Sequence, residues 1–319
     1  MTFFGNVTFP RRISSLFDGH RMIDSSGFNE AWSEHHGFLL DVAYRLLGSY
    51  GDAEDIVHEA FSRLLRTDLD PIEDVRAWLV VVVSRLCLDQ LRSARVRHES
   101  YIGPWFPEPL LQLEADSADP ADVVTLDESV RMAMLIVLER MSPAERVVFV
   151  LHDIFEFPFE KVAEMVDRTP AACRQLASRA RRRVKAEDAN GRLKLDRVEQ
   201  QRIVDAFIAA TATGDVSKLL PLLDPSVIGW ADVGGTLAAV RNPNVGPQKV
   251  GNGVMYFFGP ASGSILERRN INGEPGIVVY RGGEVAAVIA LTLKAGAITR
   301  VYVVADARKL EHVKRALRS

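Results

Sequence analysis

The sequence has little of what would place the protein in a membrane, in an oxidising compartment or around a metal ion. Its 319 residues include only two cysteines, Cys87 and Cys173, so neither a disulfide framework nor a zinc site is supported. The apolar run Trp78–Val83, like the other apolar runs of the sequence, is far shorter than the roughly 20 residues that cross a bilayer. Residues 1–27 lack the apolar core and cleavage site of a signal peptide and are interpreted as a leader. We therefore expect a cytoplasmic protein that needs no metal and no cofactor.

The chain also lacks a large net charge, because 39 lysines and arginines oppose 42 aspartates and glutamates. Any affinity for nucleic acid must therefore come from a local patch. The apolar fraction of 47% and the charged fraction of 25% are ordinary for globular proteins, and this length predicts two or three domains.

One local patch lies in the stretch from 159 to 185, where the apolar spacing also predicts two helices. Apolar residues recur at three and four residue steps over 159–166, which is typical of a short amphipathic helix. The pattern breaks at Asp167–Thr169, and a threonine N-cap followed by Pro170 predicts a second helix that ends near Val184. Two short helices joined by a three-residue turn predict a helix-turn-helix, whose second helix enters the major groove of DNA.

The charges of this second helix favour the same interpretation. No acidic residue lies between Asp167 and Glu187, so we expect an almost uncompensated positive surface that faces phosphates. The alternative is a solvated basic helix with no partner. The basic residues are Arg168, Arg174, Arg179, Arg181, Arg182, Arg183 and Lys185.

Upstream, residues 28–98 predict a bundle of three helices. The first runs from Phe28 to Gly48, and the third covers Val75–Val96. The second begins at Asp52 as N-cap, with acidic residues in its first turn that oppose the helix dipole. Its apolar stripe is expected to be buried, and the opposite face is polar.

The residues of this bundle resemble a known family. The stretches DAEDIVHEAF at 52–61, RAWL at 76–79 and SRLCLDQLRSAR at 84–95 are similar to region 2 of bacterial extracytoplasmic-function sigma factors, within the sigma-70 family. The helix-turn-helix resembles region 4 of the same family. The resemblance implies region 2 over residues 28–98, region 4 over residues 126–187, and RNA polymerase core enzyme and promoter DNA as partners.

The resemblance also implies roles for particular residues. The polar face of the second helix would bind the polymerase through Asp55, His58 and Glu59, with His58 in the place of the family's usual glutamine. We expect Trp78 in the core, with base stacking as the alternative. The third helix would contact the promoter −10 element through Arg85, Asp89, Arg92 and Arg95.

The recognition helix is expected to read the promoter −35 element with its first turns. Arg174 can pair with guanine and Gln175 with adenine, whereas the later arginines hold phosphates. Within the turn, Asp167 stands where glycine is usual, and Arg168 replaces an apolar residue. The predicted contacts are Thr169, Ala171, Ala172, Arg174, Gln175, Ser178, Arg179, Arg182 and Arg183.

Between the two regions, residues 99–125 predict a proline-rich linker. Its GPWFPEP segment resembles the Trp-Leu-Pro-Glu-Pro signature of sigma factors with a C-terminal SnoaL-like extension, which implies a docking site for that extension. A rigid spacer is the alternative. The docking residues would be Trp105, Phe106, Pro107, Glu108 and Pro109. After the linker, a helix is expected from Asp119–Pro120 to Met141, and then a capping box at Ser142–Glu145.

Residues 197–317 predict a third unit, in which helices precede β-branched runs separated by glycine turns. A helix pair and a curved antiparallel sheet form an α+β cone that resembles the SnoaL-like fold of the nuclear-transport-factor superfamily. The whole chain is thus predicted to be multi-domain, with two all-α units before the cone. DVGGT at 232–236 resembles the family's signature of Asp-Gly-Gly-Gly and a basic residue. DARKL at 306–310 resembles its second signature, Asn-Pro-Asp-Lys-Leu. They supply further expected docking residues, Asp232, Gly234, Gly235, Lys309 and Leu310.

Three hypotheses remain for the whole chain. It is a sigma factor that its own extension regulates in cis, a helix-turn-helix regulator that acts without polymerase, or a fusion with an enzyme or a ligand sensor. The cone fold also hosts enzymes, but no histidine lies between His152 and His312. We therefore expect no enzyme activity, and an unknown small ligand of the cone stays open. Its early aspartates are interpreted as caps or turn residues, namely Asp205, Asp215, Asp224 and Asp232.

Overall fold

The structure, a computed structural model, describes six stretches of the chain. Most of the predicted leader and most of the linker lie outside them, as do the side chains of residues 94–98. The described residues are 23–68, 72–98, 103–112, 130–188, 196–235 and 242–318.

The predicted three-helix bundle is confirmed, with α1 at Ser25–Leu47, α2 at Tyr50–Leu64 and α3 at Val75–His98. The expectation that Asp52 caps α2 was wrong. Gly48 ends α1 in the left-handed conformation at φ 68°, and the next residue, Ser49, is the N-cap. The Ser49 hydroxyl accepts a hydrogen bond from the Asp52 backbone N–H at 3.2 Å. Helix α2 therefore begins at Tyr50, two residues after the left-handed glycine that ends α1.

The second helical unit starts later than predicted. Residues 113–129 lie outside the described part of the chain, and Arg131 has extended backbone at ψ 140°, so α4 spans only Met132–Glu139. A continuous helix from Asp119–Pro120 to Met141 is therefore wrong at this point. The predicted capping box is confirmed, because Ser142 and Glu145 bond reciprocally at the start of α5, Pro143–Phe149.

The helix-turn-helix prediction is confirmed. Helix α6 covers Phe159–Val166 and α7 covers Pro170–Asp188, joined by the predicted three-residue turn. Asp167 adopts a left-handed φ of 54°, a conformation that aspartate tolerates better than most residues. The Thr169 hydroxyl accepts a hydrogen bond from the Ala172 N–H at 3.2 Å and so caps α7.

The helices α1 to α7 bury their apolar faces in one continuous core. Cys87 of α3 and Cys173 of α7 are free thiols inside it, and Trp78 packs against it from α3. Phe38 of α1 meets Phe155, which follows the π-helical turn Val150–Ile154, edge to face at 5.3 Å. Regions 2 and 4 therefore pack directly against each other in this structure.

The C-terminal unit is α+β, as predicted, but its sheet is mixed and not purely antiparallel. Strand β2 runs parallel to β7, because a crossover through α10 separates β2 from the hairpins that follow. Helix α10 was not predicted. The elements are α8 Arg197–Ala212, α9 Val216–Leu219, β2 Leu223–Asp232, β3 Asn244–Val245, α10 Pro247–Phe258, β4 Ser264–Ile271, β5 Glu274–Arg281, β6 Glu284–Lys294, β7 Ala297–Val304 and α11 Glu311–Ala316.

Each face of this sheet packs against a different part of the chain. The concave face forms its own core with α8 and α10. The opposite face packs against Phe106 and Leu111 of the linker and against Met132 and Ile136 of α4. The linker also adds a short strand, β1 at Leu111–Gln112, beside β4, and the order in the described sheet is β1-β4-β5-β6-β7-β2-β3. None of the helices described here has the length and hydropathy of a membrane-spanning segment.

Candidate functional site

The face of α2 nominated for polymerase binding points to solvent. Asp55 and His58 are exposed, and Glu59 is partly exposed and paired with Arg63 at 2.8 Å. The His58 ring stacks against Trp32 of α1, with ring centroids 5.3 Å apart. The three predicted side chains thus form one polar surface, and Trp32 fixes the orientation of its imidazole.

The α3 residues nominated for the −10 element lie near region 4. Arg85 donates a hydrogen bond from Nη2 to the Glu164 carbonyl oxygen of α6 at 3.0 Å. Asp89 and Arg92 are exposed and pair with each other at 3.4 Å. The side chain of Arg95 lies outside the described residues. Arg85 is exposed and uses one guanidinium nitrogen for this bond, so its side chain contacts region 4 while its other donors stay accessible to nucleic acid.

The residues of α7 nominated for the −35 element lie on the outer side of the helix. Ala172 is half-buried and the others are exposed, so the whole set is accessible together. Arg174 packs over the Phe159 ring at 5.4 Å, which orients its guanidinium near the start of the helix.

The positive surface of α7 is not almost uncompensated, and that expectation was wrong. Glu145 of α5 is buried and pairs with Arg179 at 2.9 Å. Burial raises the pKa of this carboxyl, but the Ser142 hydrogen bonds and the nearby arginines outweigh burial and hold the pKa below its usual range. The error arose because acidic residues were sought only along the helix itself, whereas other elements supply them in space. The other pairs are Arg174–Glu160 at 2.9 Å, Arg183–Glu145 at 3.9 Å and Arg181–Asp153.

The GPWFPEP segment meets the C-terminal domain through a buried charge pair. Asp232 Oδ2, at the end of β2, accepts hydrogen bonds from the Phe106 N–H at 2.8 Å and from Lys309 Nζ at 2.6 Å. Lys309 Nζ also donates to the Phe106 carbonyl oxygen at 2.6 Å and lies 3.8 Å from the centroid of the Trp105 ring. We call Trp105, Phe106, Asp232 and Lys309 the linker junction.

The linker junction is almost completely closed to water. The side chain of Lys309 is 7% exposed and that of Asp232 is 0% exposed. Burial lowers the pKa of Lys309, while the charge and hydrogen bond of Asp232 act in the opposite direction. Each charge therefore depends on its partner, and neither could stay buried alone.

A second buried cluster joins region 2, the linker and the sheet. Tyr44 of α1 donates its hydroxyl hydrogen to the Glu108 carbonyl oxygen at 2.8 Å and accepts one from Asn272 Nδ2 at 2.9 Å. Asn272 also accepts from the Leu110 N–H at 3.2 Å. The Glu108 carboxylate accepts from the Ser49 hydroxyl at 2.9 Å. Tyr44 and Asn272 were not among the predicted docking residues. Asn272 precedes Gly273 in the turn between β4 and β5, and an Asn-Gly pair by itself indicates only a hairpin turn.

The remaining predicted docking residues surround these two clusters. Pro107 and Pro109 are buried. Pro107 packs close to Gly48, because a Cβ atom added to Gly48 would lie 3.2 Å from the Cβ of Pro107. Gly234 has a φ of 73°, and its N–H bonds to Asp232 Oδ1 at 3.2 Å. Gly235 is also left-handed, with a φ of 72°, and Leu310 is buried in the outer core of the sheet.

Helix α11 makes a further contact with region 2. His312 lies against Tyr50, at the start of α2, with ring centroids 4.2 Å apart. Burial lowers the pKa of His312 to about 4. Arg315 of α11 also approaches α2, with its Nη1 atom 3.9 Å from Oε2 of Glu54. No local pattern predicts this contact, because it joins residues more than two hundred positions apart.

Three of the four early aspartates have the turn or cap role that was expected. Asp215 caps α9 by accepting from the Ser217 N–H at 2.9 Å, Asp224 accepts from the Ser226 N–H at 2.8 Å, and Asp232 accepts from the Gly234 N–H at 3.2 Å. Asp205 instead pairs with Arg268 at 2.7 Å. Asp232, which is also one of the predicted docking residues, is in addition the buried anion of the linker junction.

The concave side of the sheet encloses a cavity of about 530 Å³ between β2, β7 and α10. Its walls are mostly apolar and aromatic, and Arg281 and two asparagines, Asn242 and Asn244, add polar groups. Among the described residues that line it there is no carboxylate, imidazole, thiol or amine.

Comparisons with known proteins agree with this architecture. Residues 31–97 match the family described as Sigma-70 region 2, and residues 131–184 match Sigma-70, region 4. The probable ECF RNA polymerase sigma factor SigI of Mycobacterium tuberculosis is 39% identical over 90% of this chain and 96% of its own length. The ECF RNA polymerase sigma factor SigJ of the same organism is 39% identical over 88% of this chain and 91% of its own.

A solved structure extends the likeness to the third unit. The crystal structure of Mycobacterium tuberculosis SigJ aligns with a TM-score of 0.72 and 36% identity, and covers 89% of this chain and 98% of that one. The alignment therefore spans both helical regions and the α+β unit that follows them. The chain belongs to the extracytoplasmic-function (ECF) RNA polymerase sigma factors, and it carries a C-terminal SnoaL-like domain beyond their two helical regions.

Proposed function

We propose that this sigma factor directs RNA polymerase to promoters and that its C-terminal domain controls, in cis, whether regions 2 and 4 are available for DNA. The observation that carries the second part is the linker junction, which ties the C-terminal domain to the segment between the two regions. We take residues 28–98 and 126–187 as the two promoter-binding units and 197–317 as the regulatory unit.

The sigma part of the proposal assigns a partner to each exposed surface. Asp55, His58 and Glu59 form an accessible polar face that suits a helix of the polymerase. The α3 residues Arg85, Asp89, Arg92 and Arg95 are assigned to the −10 element. The α7 residues are assigned to the −35 element, where exposed Arg174 offers the paired donors that read guanine and exposed Gln175 offers the donor and acceptor that read adenine.

Base readout and phosphate contact can be separated on α7. Arg174→Ala should cost about 1–3 kcal/mol at one base position of the −35 element, whereas Arg182→Ala should weaken binding evenly across promoters and reduce its salt dependence. The measurement is affinity of the polymerase holoenzyme for a set of promoters with single base changes. An even loss for Arg174→Ala would contradict its role in base readout.

The regulatory part of the proposal rests on where the contacts lie. Arg85, one of the residues nominated for the −10 element, is bonded to Glu164 of region 4. The linker between regions 2 and 4 is held by the C-terminal domain at its GPWFPEP segment. The Tyr44–Asn272 cluster fixes the same segment to region 2. Separation of the two regions therefore has to overcome buried polar contacts with the C-terminal domain.

In vitro transcription with core polymerase tests the proposal. The full chain is compared with a chain that ends after Asp188 and with Asp232→Asn, which keeps the side-chain shape and removes the charge. The charged pair Asp205 and Arg268 lies elsewhere on the domain, so Asp205→Asn is the matched control. A changed output for the first two and not for the control supports regulation in cis. Equal output from all four chains contradicts it, and no initiation by any of them contradicts the sigma function.

We further propose that the C-terminal domain has no catalytic activity and that the protein acts in the cytoplasm, beside RNA polymerase and the chromosome. The lining of the cavity supports the first statement, since its described residues offer no group of the kind that donates or abstracts protons in cone-fold enzymes. The relatives support the second, because they are RNA polymerase sigma factors.

A further inference from the structure

We propose that the cavity of the C-terminal domain binds a small, largely apolar molecule that carries one anionic group. The binding site is argued from the cavity alone. Its link to transcription rests on the proposed regulation in cis, and the experiment below separates the two.

The cavity has the dimensions and walls of a ligand site. Its volume of about 530 Å³ lies within the range of roughly 300–1,000 Å³ that small-molecule pockets occupy. Phe257 and Phe258 supply aromatic wall, and valines and alanines of β2, β6, β7 and α10 supply most of the rest.

One cation is positioned at this cavity. The guanidinium of Arg281 is held through Nη2, which donates to the Phe257 carbonyl oxygen at 2.9 Å and to the Ser264 hydroxyl at 3.1 Å. Its other nitrogens remain available, and within the described part of the chain no carboxylate pairs with it. A fixed guanidinium beside an apolar chamber recognises a carboxylate, sulfonate or phosphate attached to an apolar body.

The cavity wall continues into the linker junction. Ala231 lines the cavity, and the next residue of β2 is Asp232. Ala305, which also lines it, donates its N–H to the Asp232 carbonyl oxygen at 2.7 Å. A molecule that shifts these residues would therefore act on the anion that holds Phe106 and Lys309.

A pair of matched probes tests the binding site on the full chain. The probes are 1-anilinonaphthalene-8-sulfonate and its uncharged analogue N-phenyl-1-naphthylamine, which differ by the anionic group. We expect both to bind, the sulfonate several-fold more tightly, and Arg281→Gln to remove that difference. The control is Arg269→Gln, an exposed arginine that pairs with Glu267 on β4 and does not line the cavity. An unchanged preference in Arg281→Gln, or an equal loss in the control, overturns the assignment.

Filling the cavity provides an independent test. Gly253 of α10 lines it, and the nearest atom to a Cβ added there is the side-chain nitrogen of Asn244, at 3.0 Å. Gly253→Leu, which also suits a helix, should reduce affinity for both probes by at least about tenfold, and Ala286→Phe serves if the first variant does not fold. Full binding to a folded, filled variant overturns the proposal. If the probes bind but leave transcription unchanged, the binding site stands and its link to regulation fails.

Discussion

Two contacts hold this protein together, and they differ in chemistry. Regions 2 and 4 share one apolar core, in which Phe38 and Phe155 meet across the boundary. The C-terminal domain also has apolar contacts with the linker, but its attachment is centred on a buried ion pair, Asp232 with Lys309. Apolar contacts are non-directional and lose strength gradually, whereas a buried ion pair fails as a unit when one charge is removed.

Polar contacts also cross the apolar boundary, among them the Arg85 bond to Glu164. Arg146 of α5 pairs with Glu139 at 2.5 Å and donates to the Arg45 carbonyl oxygen of α1 at 3.3 Å. This buried arginine fixes the register of regions 2 and 4, while the surrounding apolar side chains supply most of the contact. Mutation is therefore expected to weaken the contact between the helical regions by degrees, but to disrupt the attachment of the C-terminal domain when either charge of the ion pair is removed.

The largest effect is expected at the ion pair itself. Asp232→Ala leaves the Lys309 ammonium buried without its counter-charge and should destabilise the seated domain by about 3–5 kcal/mol. The loss is measured by urea unfolding of the full chain, with cleavage of the linker by a protease as the readout of domain release. The double variant Asp232→Leu with Lys309→Met removes both charges and should cost much less than the sum of the single variants. Simple additivity would show that the pair is not the centre of the contact.

The next effect depends on pH and on the contact of α11 with region 2. The pKa of His312 falls to about 4 from an ordinary 6.5, so the folded protein favours the neutral ring. Its contribution is fully present above about pH 6.5 and is lost as the pH falls towards 4, by up to about 3 kcal/mol. Unfolding free energies measured across this window should change less steeply in His312→Phe, which keeps a ring against Tyr50. Identical slopes in both proteins would refute the assignment.

A smaller loss is expected at the apolar boundary. Phe155 is half-buried, contacts Phe38 edge to face and lies 5.2 Å from the Arg45 guanidinium. Phe155→Ala should reduce the free energy of unfolding by about 2 kcal/mol, and Phe155→Leu should keep roughly half of it. Urea denaturation measures both. A loss as large as that of Asp232→Ala would remove the distinction between the two contacts.

The smallest effect is expected for a solvent-exposed pair at the same domain boundary. Glu54 lies 3.9 Å from Arg315, whose side chain is 72% exposed. Glu54→Gln should change stability by no more than about 0.5 kcal/mol, because water and salt screen such pairs. Thermal unfolding at low and high salt checks this value. A loss above 1 kcal/mol, roughly the upper limit for exposed pairs, would mean that surface charge contributes to seating the domain.

Local patterns predicted much of the fold. The capping box at Ser142–Glu145, the helix-turn-helix around Asp167 and most strands of the cone followed from caps, turns and apolar spacing. Those signals are local, because each depends on residues three or four positions apart. The parallel pairing of β2 with β7 and the late start of α4 had no such signal, since long-range packing decides them.

The candidate sites divide in the same way. Exposure of Arg174 and Gln175 could be predicted from the helix alone, but the ion pairs that neutralise part of α7 could not. Asn272 lies in a hairpin turn, but its side-chain partners are Tyr44 of α1 and Leu110 of the linker. A sequence motif indicates which residues can bind, whereas their partners depend on which surfaces meet.

The sequence by itself determined the order of the three units, much of the secondary structure within them and the family to which the chain belongs. Only the tertiary structure decided that Asp232 and Lys309 would enclose Phe106, and that a cavity with one fixed cation would lie behind them. The physical reason is that helices and turns are specified by neighbours along the chain. A buried charge is stable only where distant segments bring its counter-charge and exclude water together.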